Sequence, residues 1–183
     1  MNNKKVQKLN RAAVAAVLAA SGAAVTMPYS VVKADSPFSD VTTSNSHYDS
    51  IMKLYNRGII SGFEDKTFRP SKEVTRGQAA KMLALTLGLD IYNVKNPKFK
   101  DVPTTSAYYP YIAALVEQGV ISGYVDNTFR PGEVITRNQM AKIIVKGFQF
   151  GETKNLTHKF EDVSSKNANR FYIQTLVNLG ITT

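Results

Sequence analysis

Two arginines stand in matched surroundings: Arg76 in Val74-Thr75-Arg76-Gly77-Gln78 and Arg137 in Ile135-Thr136-Arg137-Asn138-Gln139. A guanidinium keeps its charge and offers a planar fork of donors that matches a carboxylate or phosphate. Each arginine follows a threonine suited to cap a helix, so it takes the first helical position, where a cation opposes the helix dipole by about 0.3–1 kcal/mol. That unfavourable placement, made twice, implies an arriving anion attracted by the side chain and the helix N–H groups together. A pairing with Glu73 or Glu133, or simple exposure to solvent, is the alternative.

Asp65 and Asp126 lie in Gly62-Phe63-Glu64-Asp65-Lys66-Thr67-Phe68 and Gly123-Tyr124-Val125-Asp126-Asn127-Thr128-Phe129. An aspartate in this setting is a turn former whose carboxylate accepts local backbone N–H bonds. It could also accept from sugar hydroxyls beside the open backbone of Gly62 or Gly123, with Tyr124, and Phe63 as its counterpart, stacking on a sugar face. The loops lack the alternating oxygens and terminal glutamate of an EF-hand. No Ser-His-Asp order, HExxH, phosphate loop or distinctive carboxylate pair occurs. His47 and His158 fall at unrelated places in the pattern described below. No enzyme, cofactor or metal is expected.

These residues belong to a repeat whose period does not drift. Phe38-Ser39-Asp40-Val41 returns as Phe99-Lys100-Asp101-Val102 and again, at the same offset, as Phe160-Glu161-Asp162-Val163. Gly58-Ile59-Ile60-Ser61-Gly62 returns as Gly119-Val120-Ile121-Ser122-Gly123, and its opening as Gly180-Ile181-Thr182. Thr67-Phe68-Arg69-Pro70 matches Thr128-Phe129-Arg130-Pro131. The expected units are 35–98, 99–159 and a partial third at 160–183.

Within a unit, Ile51, Leu54 and Tyr55, then Ile112, Leu115 and Val116, then Ile173, Leu176 and Val177 form an i, i+3, i+4 apolar stripe ending at Gly58, Gly119 or Gly180. A loop bounded by glycine and proline follows. A second helix starts at Thr75 or Thr136, with Gln78 or Gln139 completing a capping box. Its expected apolar face is Ala79, Met82, Leu83 and Leu87 in one copy, and Met140, Ile143, Ile144 and Phe148 in the other. Phe38, Phe99 and Phe160, with Phe68 and Phe129, read as core plugs. Neither unit has enough apolar surface to be stable alone, so neighbours should pack together and leave clefts at their joints.

Composition sharpens this reading. The chain has 183 residues, no cysteine, 43% apolar residues and a formal charge of +9. Disulfides and thiolate chemistry are excluded. Lys4, Lys5, Lys8, Arg11 and Lys33 precede or follow an Ala- and Val-rich run from Ala12 to Val25, and Val32-Lys33-Ala34 offers a cleavage site before Asp35. This is the layout of a secretion signal over residues 1–34, its apolar run too short to span a bilayer stably, with an amphipathic or retained anchor helix as the alternative. Without those five cations, 18 basic residues face 14 acidic ones, and the body carries only +4. Neither nucleic acid nor, after cleavage, a membrane is an expected partner.

The combination Phe-x-Asp-Val, Gly-Ile/Val-Ile-Ser-Gly, Asp-x-Thr-Phe-Arg-Pro and Thr-Arg-x-Gln, in two phased copies, closely resembles the S-layer homology repeats of bacterial surface proteins. The resemblance covers residues 38–183. It implies an all-α module of helix-loop-helix repeats in a pseudo-threefold bundle, whose inter-repeat grooves hold secondary cell-wall polysaccharide, often pyruvylated. It further implies noncovalent anchoring to the Gram-positive wall, with other S-layer proteins as further partners. The family's Thr-Arg-Ala-Glu carries its ligand-binding arginine onto Arg76 and Arg137, with Asp65, Asp126, Gly62, Gly123 and Tyr124 shaping the groove. Gln78 and Gln139 replace its glutamate, which keeps the cap and removes a negative charge beside the arginine. The third repeat stops at Thr183 before its loop, which puts threefold closure in question. Two competing readings are the anchor region of a surface enzyme such as a murein hydrolase, and adsorption of a basic protein to teichoic acids.

Overall fold

The structure, a computed structural model, describes residues 36–182. The expected signal at 1–34 lies outside the described residues. Five α-helices and no strand occur among the described residues: α1 Tyr48–Asn56, α2 Arg76–Leu87, α3 Tyr109–Glu117, α4 Arg137–Gly147 and α5 Arg170–Asn178. The all-α expectation holds. α1, α3 and α5 start at 48, 109 and 170, and α2 and α4 at 76 and 137, so the elements keep the period of the sequence repeat.

Capping chemistry defines the long helices. Thr75 Oγ1 accepts from the Gln78 backbone N–H at 3.3 Å, while the Thr75 N–H donates to Gln78 Oε1 at 2.9 Å. Thr136 and Gln139 repeat the box at 3.3 and 3.2 Å. Such a box satisfies two of the N–H groups a helix start leaves without intrahelical partners. The short helices are defined at their C-termini. Gly58 holds φ at +68°, and the N–H of Ile59 returns to the Leu54 carbonyl at 3.0 Å. Gly119 and Gly180 close α3 and α5 by the same paired bonds, which satisfy the last carbonyls.

Each second helix packs against the first helix of the following unit: α2 on α3, and α4 on α5. α2 also touches α4. The largest core therefore crosses a joint, bringing Ala80, Leu83 and Ala84 of α2 against Val102, Ile112, Leu115, Val120, Ile121 and Phe129. Ile112 and Leu115 are fully buried, each contributing about 1.5–3 kcal/mol. A second core holds Phe38, Val41, Tyr48 and Ile51, and a third holds Ala141, Val145 and Leu176. Phe38 and Phe129 are plugs as expected, at 4% and 2% exposure.

The α4 face departs from expectation. Ala141 and Val145 are its buried residues, Ile143 and Ile144 are half-buried, and Phe148 lies at 43% exposure, stacked on Phe150. The seam facing α5 admits small side chains, so the bulkier residues flank it. In α2 the same shift favours Ala80 and Ala84 over Met82 and Leu87. α5 is pinned by polar as well as apolar contacts. Buried Gln174 donates from Nε2 to Thr157 Oγ1 at 3.0 Å and to Asn178 Oδ1 at 2.8 Å, and its Oε1 accepts from the His158 N–H at 3.0 Å.

Candidate functional site: a groove at the joint between repeats

The loop after each short helix is held by two aspartates. The Asp40 carboxylate accepts from the backbone N–H groups of Phe68 and Arg69, both at 2.7 Å, and Asp101 accepts from those of Phe129 and Arg130 at 2.8 and 2.6 Å. Arg69 and Arg130 sit at φ +59° and +60°, where side chains are disfavoured, and these charge-assisted bonds hold them there. The bonds depress the Asp40 pKa, that from Phe68 most strongly. Asp65 accepts from the Thr67 hydroxyl and N–H and pairs with Arg69 at 2.7 Å. Asp126 does the same with Thr128 and, at 3.1 Å, with Arg130. Hydrogen bonding by Thr67 and Thr128, then by Arg69 and Arg130, lowers both carboxyls to about 2.

Gly62 and Gly123 let the loop close on its own aromatic plug. A Cβ on Gly62 would strike the Phe38 ring and lie 2.8 Å from the Thr67 carbonyl oxygen; on Gly123 it would strike the Phe99 ring and lie 2.6 Å from the Thr128 carbonyl oxygen.

The start of α2 reaches into the second unit. An antiparallel bridge joins Thr75 to Val134, and the N–H groups of Arg76 and Gly77 donate to the carbonyls of Glu133 and Pro131 at 2.8 and 2.9 Å. This corrects the expectation that free helix N–H groups attract an anion alongside Arg76, because the loop of the next unit already occupies them. The guanidinium remains as the cation. Its Nε donates to the Phe129 carbonyl at 2.9 Å, and it lies 4.5 Å from the Phe129 ring centroid and 5.0 Å from that of Tyr124. Arg130 lies 4.0 Å from the Tyr124 centroid. The ring thus supports two cations.

Arg76, Gly123, Tyr124 and Gln139 come together around one cavity of about 210 Å³, with Ser122, Phe129, Lys142, Lys146 and Asn169. Among the described residues, none that lines it is acidic. The equivalent cavity in the first unit, about 340 Å³, is lined by Gly62, Phe63, Gln78 and Lys81, with Arg69, Lys72 and Glu73. Asp65 and Asp126 line neither cavity; they hold Arg69 and Arg130 beside them.

Arg137 stands apart from Arg76. It is exposed, donates from Nη2 to Thr182 Oγ1 at 3.1 Å, and lines a larger cavity of about 840 Å³ with Phe160 and Asp162. The adjoining residues follow suit. A Cβ on Gly77 would lie 2.8 Å from the Tyr108 ring, whereas Asn138, at the equivalent place, hydrogen-bonds Asn169, the equivalent of Tyr108.

Sequence reasoning missed Asp40, Asp101, Lys81 and Lys142. Their recurrence in phase with the repeat is the signal that could have found them. Among the described residues no cluster of His, Asp and Glu could hold a metal ion, and no helix is long and apolar enough to cross a membrane.

The family model of the S-layer homology domain matches residues 37–80 and 98–141. An S-layer protein of Bacillus thuringiensis subsp. finitimus is 36% identical over 154 residues, 83% of this chain and 19% of that protein. An endoglucanase of Bacillus sp. (strain KSM-635) is 36% identical over 118 residues, 64% of this chain and 12% of the enzyme. An uncharacterized cell wall amidase of Bacillus anthracis is 37% identical over 129 residues, 67% of this chain and 23% of the amidase. The chain spans less than a quarter of the length of each of these relatives. Repeats, helices and relatives agree on a bacterial cell-surface module, and the chain belongs to the S-layer homology domain family.

Proposed function

We propose that the chain is a non-enzymatic anchor that binds secondary cell-wall polysaccharide of a Gram-positive wall in its inter-repeat groove. Arg76 pairs there with the carboxylate of a pyruvylated sugar. The observation that carries this reading is the joint cavity, where Arg76 from one unit meets Gly123, Tyr124 and Gln139 from the next with no acid in the described lining. Fixing Nε on the Phe129 carbonyl leaves the two terminal nitrogens for a bidentate contact. Arg137 plays the same part at the following joint, in a pseudo-threefold arrangement of units, and Asp65 and Asp126 position the loop arginines. Gln78 and Gln139 keep the helix caps without adding negative charge.

The test is retention of the chain on purified wall polysaccharide, with and without removal of the pyruvyl group. Retention should fall for the Arg76→Ala, Arg137→Ala double variant and for the stripped glycan. Equal retention of wild type and variant would sink the mechanism. Binding that collapses with modest salt and ignores the pyruvyl group would indicate adsorption to teichoic acids instead.

A second reading, the anchor region of a surface enzyme, is favoured by the endoglucanase and amidase relatives. Reading the gene beyond codon 183 for an in-frame catalytic domain decides it.

A further inference from the structure

The joint cavity holds more positive charge than one carboxylate needs. Lys142 and Lys146 line it together, four residues apart on α4 and hence on one helix face. Like charges at that spacing repel. Neither lysine has an ion-pair partner among the described residues, and two acids of the same unit are engaged elsewhere: Asp126 and Glu133 both pair with Arg130. Arg76 enters from α2, whereas the lysines stand on the second and third turns of α4. The cavity is therefore cationic on two different elements.

The first unit serves as an internal comparison. Lys81 lines its cavity at the place equivalent to Lys142, one repeat earlier, but Leu85 stands where Lys146 would be, and Glu73 joins the lining. The recurring lysine belongs to both cavities; the paired arrangement belongs to the second.

We infer that Lys142 and Lys146 form an anion subsite separate from Arg76, so that the preferred ligand is a glycan carrying two anionic substituents, one held by the arginine and one by the lysine pair. The inference rests on the polysaccharide reading above. The second substituent is a phosphate, which the compact ammonium charges of a lysine pair attract without needing the planar fork of an arginine.

Titration calorimetry of the full chain with purified wall polysaccharide tests it, using the native glycan, glycan depyruvylated by mild acid and glycan dephosphorylated by hydrofluoric acid. The Lys142→Gln, Lys146→Gln variant should bind native glycan about tenfold more weakly, two modest ion pairs being lost. The Lys142→Arg, Lys146→Arg variant should bind as wild type does. The glutamine variant's loss should vanish on the dephosphorylated glycan and the Arg76→Ala loss on the depyruvylated one. If wild type and Arg76→Ala differ but the glutamine variant binds as wild type does, the subsite is refuted and the arginine reading stands. If one treatment abolishes both losses, a single anion is shared and the two-anion ligand is refuted. If wild type binds no glycan, the polysaccharide reading fails first. Melts that match wild type for the lysine variants, and that leave Arg76→Ala folded at the titration temperature, exclude a folding defect as the cause.

Discussion

Arg76 Nε donates to the carbonyl of Phe129, 53 residues away, so the candidate ligand-binding cation of one repeat is anchored on the aromatic plug of the next. The plug is 2% exposed and cannot shift without disturbing the largest core. Arg76 is thus a structural tie as well as a charge. Arg76→Ala should destabilise the chain by about 1–2 kcal/mol, one hydrogen bond plus a modest cation–π term. Arg137→Ala, at an exposed position, should change stability by less than about 0.5 kcal/mol. Urea unfolding of the two single variants checks the difference, and equal effects would refute the asymmetry.

Asp101 carries two backbone N–H groups at a loop residue of positive φ. Asp101→Ala should cost about 2 kcal/mol, allowing for partial exposure of these charge-assisted bonds. Amide exchange at Phe129 and Arg130 should quicken in that variant before exchange in α3 does. Unchanged exchange at both amides would show that the carboxylate is dispensable.

Asp65 and Asp126 titrate near 2 in the folded chain because Thr67 and Thr128, then Arg69 and Arg130, bind the charged form. The folded value lies below the unfolded one, near 3.9. The stability they contribute is therefore complete above about pH 4 and is lost as pH falls toward 2. Melting temperatures measured from pH 5 to pH 2 should fall less steeply for Asp65→Asn, Asp126→Asn than for wild type. The lowered carboxyls of Asp40 and Asp90 leave part of the slope in place.

Gly123→Ala would press a methyl onto the Phe99 ring and the Thr128 carbonyl, at a cost of about 2 kcal/mol. Gly62→Ala should cost more, since Gly62 also holds φ at +72°. Gly58→Ala meets no atom within 4 Å and should pay only the backbone term of about 1–2 kcal/mol. Thermal unfolding of the three variants should show Gly62→Ala the most severe, Gly123→Ala next and Gly58→Ala the least.

What the sequence makes legible is local. Thr75 with Gln78 and Thr136 with Gln139 announce their caps within four residues, and Gly58, Gly119 and Gly180 announce helix ends because the signal and the structure it causes are adjacent. Relationships across a loop or a joint are not legible in this way. Asp40 meets the amides of Phe68 and Arg69 only after the chain turns back, the partners standing 28 and 29 positions apart. Arg76 and Arg137 have matching flanks, yet Arg76 is roofed by the Phe129 loop while Arg137 reaches Thr182. Their difference lies in the following unit, which no local motif encodes. The apolar face of α4 escapes periodicity for a related reason. Periodicity marks a wide stripe, and only the neighbouring helix decides that Ala141 and Val145 form its centre and Phe148 its margin.

The packing of α2 on α3 separates the unit of inheritance from the unit of folding. The gene repeats from Phe38 to Lys98, but cutting there bares Ala80, Leu83 and Ala84 on one piece and Ile112 and Leu115 on the other. A chain assembled this way behaves like interlocking tiles, in which every seam of the pattern is the middle of a bond. Duplicating such a segment adds a whole new joint along with the helices, and with it another cavity of the kind that Arg76 and Tyr124 line.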